Sequence, residues 1–270
     1  MNEDGLRVLL RSLKLSAFVH HYEEAAHTAG RQGWDALTYL QYLTELEIDT
    51  RRQRKLERLL KASRLPVGKT LSTLDVTRLS EKVQRQLPSL CQGHFLDRAE
   101  NILAFGLPGR GKTHVLCAIG HELVSRGRSV LFVPAYRLVQ GLLIAKRDLA
   151  LDKELRRLDR FEAVILDDIG YIQQQPEEME VLFTFLAERY ERKSVLISSN
   201  LVFSQWEKIF KDPMTTAAAI DRLVHHCTIL ELTGVSYRTE LAITSNKEDN
   251  NQKEEESITP SPPTVRDDGE

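Results

Sequence analysis

A glycine-rich stretch, GLPGRGKT from Gly106 to Thr113, contains the residues of this chain that are best suited to chemistry. Its spacing fits G-x-x-x-x-G-K-[ST], in which glycines let backbone N–H groups converge on phosphate oxygens. Lys112 would reach the β- and γ-phosphates of a nucleotide, and the Thr113 hydroxyl would bind Mg²⁺. The sequence therefore predicts a nucleotide site made of Gly106, Leu107, Pro108, Gly109, Arg110, Gly111, Lys112, Thr113 and His114.

The segments on either side of this loop have the patterns that a phosphate site requires. The apolar run Asn101–Phe105 precedes the loop and predicts a buried strand. Apolar residues then recur at helical spacing after the loop: Val115, Leu116, Ile119, Leu123 and Val124. A helix starting at the loop would add its unpaired N-terminal N–H groups and its dipole to phosphate binding.

A pair of carboxylates is the second constellation. Asp167 and Asp168 follow the apolar strand Ala163–Leu166, and ligands of parallel α/β sheets bind at the carboxyl ends of strands. Asp167 would hold Mg²⁺ directly or through water, and Asp168 would orient or deprotonate an attacking water. The alternative is a pair of acids that caps a loop.

Two further polar residues are catalytic candidates. Asn200 ends the strand Ser194–Ser199, where its side chain would contact the same water or the γ-phosphate. Arg222 lies in AAAIDRLVHH and could act as an arginine finger on the γ-phosphate of a neighbouring subunit. Spacing alone leaves a second possibility open for Arg222, an ion pair with Asp221 or Glu231.

Composition excludes several classes of protein. The 270-residue chain has a formal net charge of −2 and no apolar run long enough for a transmembrane helix, so no membrane association is expected. Three cysteines in unpaired positions suit a reducing cytosol, and the N-terminus lacks a secretory pattern. Neither Cys91 with His94 nor the triplet His225–Cys227 has a usual zinc spacing.

Alternation of strands and helices after residue 98 predicts an α/β fold, in which a parallel sheet is flanked by helices. The sequence divides into a helical N-terminal domain at 1–65, a linker at 66–98, a P-loop ATPase domain at 99–243 and a disordered acidic tail at 244–270. Within the linker, a short helix is expected from Glu81 to Leu87, ending at Pro88. Another helix is expected to start after the N-cap Asp35 and to run to about Ala62.

One face of the C-terminal part of that long helix carries only positive charge. Five basic residues fall within an arc of roughly 120° at helical spacing: Arg51, Arg54, Lys55, Arg58 and Lys61. A solvated face usually mixes its signs, so this one favours contact with a phosphate backbone. The alternative is a basic face without a partner, or one that pairs with acids elsewhere in the chain.

Five segments together resemble one known family over about residues 5–240: NILAFGLPGRGKTH, VLFVPAYRLVQGLLIAKRDL, ILDDIGYIQQ, ISSNLVFSQW and AAAIDRLVHH. The chain is similar to IstB, the ATP-binding helper proteins of bacterial insertion sequences. These belong to the AAA+ class and are related to DnaC and DnaA. The resemblance implies a P-loop AAA+ ATPase domain preceded by a small all-helical domain, with ATP and Mg²⁺ as cofactors and a cytoplasmic location in a bacterium.

The resemblance also implies a function. Such proteins bind double-stranded DNA with little sequence preference, form homo-oligomers on DNA and ATP, and recruit or stimulate a partner transposase. It implies that Asn200 is a sensor and that Arg222 is a finger supplied in trans. It adds Arg137, Lys146 and Arg147, in a helical insert near 136–158, as candidates for DNA contact.

One departure from the AAA+ pattern bears on the rate. Many AAA+ proteins carry Asp-Glu where this chain has Asp167-Asp168, and the shorter carboxylate predicts slow hydrolysis that DNA or a partner would stimulate. Two alternatives are a helicase loader and a non-hydrolysing, ATP-gated DNA-binding scaffold. Turnover that needs both Asp168 and Arg222 would favour the ATPase over the scaffold.

Overall fold

The computed structural model describes residues 3–171, 175–201, 205–206 and 213–233. Five parallel strands form one sheet in the order β2-β3-β4-β1-β5. They are β1 (Asn101–Phe105), β2 (Val130–Pro134), β3 (Ala163–Asp167), β4 (Ser194–Ser199) and β5 (Cys227–Glu231). The predicted parallel α/β fold with helices before it is confirmed, and β4 lies between β1 and β3.

Nine α-helices lie within the described residues. They are α1 (Glu3–Ser12), α2 (Ser16–Gln32), α3 (Ala36–Ser63), α4 (Glu81–Gln92), α5 (Lys112–Ser125), α6 (Ala135–Arg147), α7 (Leu151–Leu158), α8 (Pro176–Arg189) and α9 (Pro213–Val224). Two apolar cores cover the two faces of the sheet. One includes side chains of α6, α8 and α9, and the other includes side chains of α4 and α5.

The predicted end of α4 at Pro88 is wrong, because the helix continues through the proline to Gln92. Proline removes one helical hydrogen bond and crowds the preceding turn, at a cost of about 3 kcal/mol. Leu87, Leu90 and Cys91 are all buried in the core that α4 shares with α5. Burial of these side chains offsets the local penalty.

The helical N-terminal region is built on α3. Asp35 caps its start by accepting a hydrogen bond from the Thr38 N–H at 2.8 Å, as predicted. Leu43 is buried against α1 and α2, whereas Leu37 and Leu40 are exposed on another side of the helix. The other end of α3 contacts α5 and β2, so this helix packs against the sheet domain.

A buried asparagine fixes the centre of the sheet. Asn101, at the start of β1, accepts a hydrogen bond from the Val195 N–H at 2.9 Å. Its amide donates to the Leu223 carbonyl at 3.2 Å, which joins β1 to β4 and to α9. These contacts satisfy the buried amide of Asn101 and connect the start of β1 to the start of β4 and to α9.

The proposed acidic tail at 244–270 lies outside the described residues. The domain boundaries at 65 and 98 stay predictions.

Candidate functional site

A cavity of about 280 Å³ lies at the carboxyl ends of the strands. It is lined by three parts of the chain: the loop and helix start at 108–114, the strand ends that carry Asp168 and Asn200, and the linker between Lys69 and Leu79. Thr233 completes the wall. Most of the predicted nucleotide residues are therefore brought together at one edge of the sheet.

The loop before α5 has the backbone conformation that its glycines allow. Gly109 and Gly111 have φ values of 81° and 83°, in the left-handed region where side chains other than glycine are strained. Gly106 is packed so closely on Leu232, the residue after β5, that an added Cβ would meet the Leu232 carbonyl oxygen. Gly106 and Leu107 do not line the cavity, but their carbonyls contact Lys112.

Lys112 is buried at the start of α5, with 5% of its surface exposed. Its ammonium donates hydrogen bonds to the Gly106 and Leu107 carbonyls at 2.7 and 3.1 Å. The N-terminus of α5 and this cation together favour an anionic group in the cavity. That arrangement suits a phosphate chain.

Asp167 joins the loop to the sheet. One carboxylate oxygen, Oδ1, accepts hydrogen bonds from the Thr113 hydroxyl at 2.7 Å and from the Ser198 hydroxyl at 2.6 Å. These are hard oxygen donors of the kind that Mg²⁺ prefers, so the residues fit the predicted metal. Thr113 and Asp167 would hold it.

Ser198 was missed by sequence reasoning. Its hydroxyl accepts from the Asp168 N–H at 2.8 Å while donating to Asp167, so it fixes both acids relative to β4. The only signal was the polar run at the end of β4, where the prediction selected Asn200 and passed over the serines.

Asp168 and Asn200 face the cavity from neighbouring strand ends. Asp168 has a φ of 58°, an uncommon conformation for a residue with a side chain. The Asn200 Oδ1 is buried without a hydrogen-bond partner among the described residues. It lies so close to Gly170 that an added Cβ there would collide with it. A buried amide oxygen of this kind is a candidate acceptor for a ligand or a water.

Arg222 does not line the cavity of its own chain. Its guanidinium carbon lies 4.6 Å from the ring centroid of Phe183 on α8, a cation–π contact. Its Nη1 is buried without a hydrogen-bond partner within the described part of the chain. An ion pair with Asp221 or Glu231, the alternative left open by the sequence, is not present among the salt bridges of the described residues.

The linker wall of the cavity was also missed by sequence reasoning. It consists of Lys69, Thr73, Leu74, Asp75, Arg78 and Leu79. His114 fastens it to α5, since its Nε2 lies 3.1 Å from the Thr73 hydroxyl and 3.2 Å from the Thr70 carbonyl. Hydrogen bonds from Thr77 and then from Arg78 lower the pKa of Asp75, so this carboxylate stays charged. The linker gave no pattern that could have predicted this.

The basic face of α3 is divided between internal and exposed contacts. Arg51 donates to Glu47 at 2.7 Å and to the Lys14 carbonyl at 3.0 Å, and Arg54 donates to the Ser16 hydroxyl at 2.6 Å. These two arginines therefore tie α3 to the start of α2. Lys55, Arg58 and Lys61 are exposed on the same helix and remain the better placed candidates for DNA.

The candidates in the insert are also partly engaged. Lys146 forms an ion pair with Glu180 of α8 at 2.6 Å. Arg147 pairs with the adjacent Asp148 at 3.3 Å, and Arg137 donates to the Tyr136 hydroxyl at 2.9 Å. All of these groups are at the surface, where such pairs are weak and exchange readily.

The sheet order, the phosphate loop and the paired acids define an ATP-binding P-loop protein of the AAA+ class. The family model of the IstB-like ATP binding proteins matches residues 8–245, and the chain belongs to this family. A relative from Sinorhizobium fredii, named as an insertion sequence ATP-binding protein, is 38% identical over 92% of this chain and 83% of its own length. A Pseudomonas aeruginosa relative, named as an ATP-binding protein of insertion sequence IS21, is 38% identical over 86% of this chain and 88% of its own length.

Solved structures support the fold. DnaI matches with a TM-score of 0.53 at 21% identity, over 63% of this chain and 96% of that chain. AMPPCP-bound DnaA from Aquifex aeolicus matches with a TM-score of 0.55 at 17% identity, over 70% of this chain and 57% of that chain. In the described part of the chain, no helix has the length and apolar character that crossing a membrane requires.

Proposed function

We propose that this protein is a Mg²⁺-dependent ATPase that forms homo-oligomers on double-stranded DNA, with little sequence preference, and recruits or stimulates the transposase of an insertion sequence. It would act in the bacterial cytoplasm. The observation that carries the proposal is the shared contact of Thr113 and Ser198 with Asp167, beside Asp168 and Asn200 at the cavity.

The proposed division of labour follows from these positions. Lys112 and the N–H groups of the loop bind the phosphates, and Thr113 with Asp167 holds Mg²⁺, which would neutralise charge on the phosphates. Asp168 orients the attacking water, and Asn200 offers its amide to the same water or to the γ-phosphate. Arg222 acts in trans, which is compatible with the fact that it does not line the cavity of its own chain.

DNA contact is proposed for the exposed cations of α3, namely Lys55, Arg58 and Lys61, with Arg137, Lys146 and Arg147 as a second group. Changing Arg58 and Lys61 together to alanine should weaken DNA binding equally for unrelated sequences. A plot of the logarithm of the DNA-binding constant against the logarithm of the salt concentration has a negative slope. This slope should become shallower by roughly one for each phosphate that the protein no longer neutralises. Arg85→Ala, which removes an exposed cation from α4, is the matched control.

The first experiment measures duplex-DNA binding and particle size together, without nucleotide, with ATP, and with ATP on Lys112→Ala. Large DNA-bound assemblies that need both ATP and Lys112 are expected. A chain that stays monomeric and ignores DNA in every condition would overturn the transposition proposal, and a protein-directed helicase loader would then replace it. If the assemblies form but phosphate release, measured on the same samples, shows no turnover, the non-hydrolysing scaffold is favoured.

A further inference from the structure

Two consecutive histidines and a glutamate lie close together near the C-terminal ends of α8 and α9. This place is away from the cavity, which lies at the carboxyl ends of the strands. His225 and His226 form the turn between α9 and β5, and Glu191 follows α8. One donor atom from each of the three side chains lies within 4.8 Å of the other two. The two imidazole rings are adjacent, with centroids 4.2 Å apart.

The main chain around this cluster is fixed. The His225 N–H donates to the Asp221 carbonyl at 3.0 Å, and the His226 carbonyl accepts from the Asn101 N–H at 2.8 Å. The side chain of His225 is oriented as well, since its Nδ1 lies 3.2 Å from the Tyr190 hydroxyl and 3.8 Å from Glu191. Only side-chain rotations are therefore needed to change the separation of the three donor groups.

Two imidazoles and one carboxylate are a donor set that binds divalent transition metals and leaves a position for water. In a tetrahedral zinc site with bonds of about 2.1 Å, donor atoms lie about 3.4 Å apart. The side chains are exposed, so small rotations can bring the donors to this distance. Two further carboxylates lie near the cluster, Asp221 near Tyr190 and Glu100 near His226.

We infer that Glu191, His225 and His226 form a binding site for a divalent transition metal ion such as Zn²⁺. The sequence did not predict it, because the third donor comes from a residue 34 positions before His225. A bound ion would connect the end of α8 to the end of α9. Arg222 lies one helical turn before His226 and stacks on Phe183 of α8, so the ion would fasten together the two helices of that contact.

The test uses the full-length protein without nucleotide, in excess Mg²⁺ so that the Thr113 and Asp167 oxygens are occupied. Co²⁺ is titrated while its visible absorption and the bound metal per chain are measured. One Co²⁺ per chain is expected for the wild type. His225→Asn with His226→Asn should abolish this binding, and Glu191→Gln should weaken it at least about tenfold.

The chain offers a matched control in His20 and His21, a second pair of consecutive exposed histidines on α2, which has Glu24 near His21. Changing both to asparagine should leave Co²⁺ binding unchanged. The inference is overturned if wild type binds no Co²⁺, if the 225/226 variant binds as well as wild type, or if the 20/21 variant loses the same binding. Glu191→Gln leaves both histidines in place, so it tests the site even if the double variant is unstable. Because no readout involves ATP or DNA, failure here is distinct from failure of the proposed ATPase.

Discussion

Asp167 and Asp168 are adjacent in sequence but have different surroundings. Asp167 accepts hydrogen bonds from two hydroxyl groups, whereas Asp168 follows with a φ of 58° and lines the cavity. These different surroundings are compatible with the proposed metal-binding role of Asp167 and the proposed water-orienting role of Asp168. Substitution of Asp167 and substitution of Asp168 are therefore expected to have different effects on nucleotide binding and on turnover.

Asp168→Asn should lower the maximal ATPase rate by about 10²- to 10⁴-fold, because the amide cannot accept the proton of the attacking water. Nucleotide affinity should change little, since Lys112 and the loop are untouched. Steady-state turnover and fluorescent-nucleotide binding measure the two quantities separately. Asp152→Asn, at an exposed acid of α7, is the control. Equal loss of binding and turnover would contradict the assigned role.

Gly170→Ala tests Asn200 without changing it. The added methyl group would collide with the Asn200 amide oxygen and displace it, and a misplacement of about 1 Å can reduce turnover on the order of 10²-fold. Gly141→Ala adds the same methyl group on α6, where nothing lies within 4 Å, and should leave turnover unchanged. Similar ATPase rates in the two variants would argue against Asn200 in this role.

At the scale of single residues, the sequence predicted site residues whose types are characteristic of nucleotide binding. It missed site residues of common types. Glycines, a lysine and paired acids are recognisable because few other residues can do their chemistry. Ser198 and the linker side chains near Thr73 are common residue types whose role depends on where the folded chain brings them. The sites themselves stay predictions until variants are measured.

The contact between α8 and α9 is the element-scale feature that bears on the proposed catalytic role of Arg222. Phe183→Leu removes the aromatic face under Arg222 but keeps an apolar side chain. Such contacts contribute about 0.5–2 kcal/mol, so DNA-stimulated turnover should fall by about 2- to 30-fold. Phe183→Tyr should restore it, because the ring face is kept. Phe161→Leu, at another partly buried phenylalanine, is the control.

Mixing the Phe183→Leu protein with the Asp168→Asn protein, which should still bind nucleotide, separates two possible roles of Phe183. If Phe183 orients a finger used in trans, the mixture should gain activity, since the Asp168→Asn subunits supply an Arg222 that is held as in the wild type. If the loss only reflects poorer folding, mixing should restore nothing, and the positioning role would be rejected.

Glu47 makes the N-terminal helices sensitive to pH. Burial raises its pKa, but hydrogen bonds from Arg51 and the Ala17 N–H outweigh this, and the pKa lies below the ordinary value of 4.5. Its stabilisation is therefore complete above the unfolded-state pKa and is lost as pH falls through the folded-state pKa. Glu47→Gln should cost about 1–3 kcal/mol of unfolding free energy at neutral pH.

Denaturant unfolding at several pH values checks this. The difference between wild type and Glu47→Gln should stay constant at neutral pH and shrink below about pH 4.5. Glu45→Gln, at an exposed position on the same helix, should stay within about 0.5 kcal/mol of wild type throughout. A difference that does not depend on pH would mean that the ionised carboxylate is not the stabilising group.

Element types were predictable, but contacts between elements were not. The strands predicted at 101–105, 163–166 and 194–199 match β1, β3 and β4 to within one residue. Continuation of α4 through Pro88 depends on burial against α5, and the meeting of Glu191 with His225 depends on how α8 and α9 end. Local patterns contain no information on either, because both arise from tertiary packing.

On the scale of the whole molecule, charge is unevenly distributed along the chain. Residues 241–270 contain three basic and eight acidic residues, a charge of −5, so the rest of the chain carries +3. Deleting these residues should tighten DNA binding at low salt, and the gain should vanish as added salt screens the charges. Fluorescence anisotropy over a salt series measures this. A full-length variant with the eight acids of this segment changed to glutamine should bind DNA as tightly as the deletion variant does. If only the deletion tightens DNA binding, the presence of the segment rather than its charge is responsible.

The long helix α3 has a mechanical consequence. Its 28 residues span about 42 Å, from the cap at Asp35 among the N-terminal helices to the packing of its other end on α5, the helix that begins at the phosphate loop. If the end that packs on α5 tilted by about 5°, the far end would move by about 4 Å. A small displacement of α5 would therefore be amplified along the length of α3.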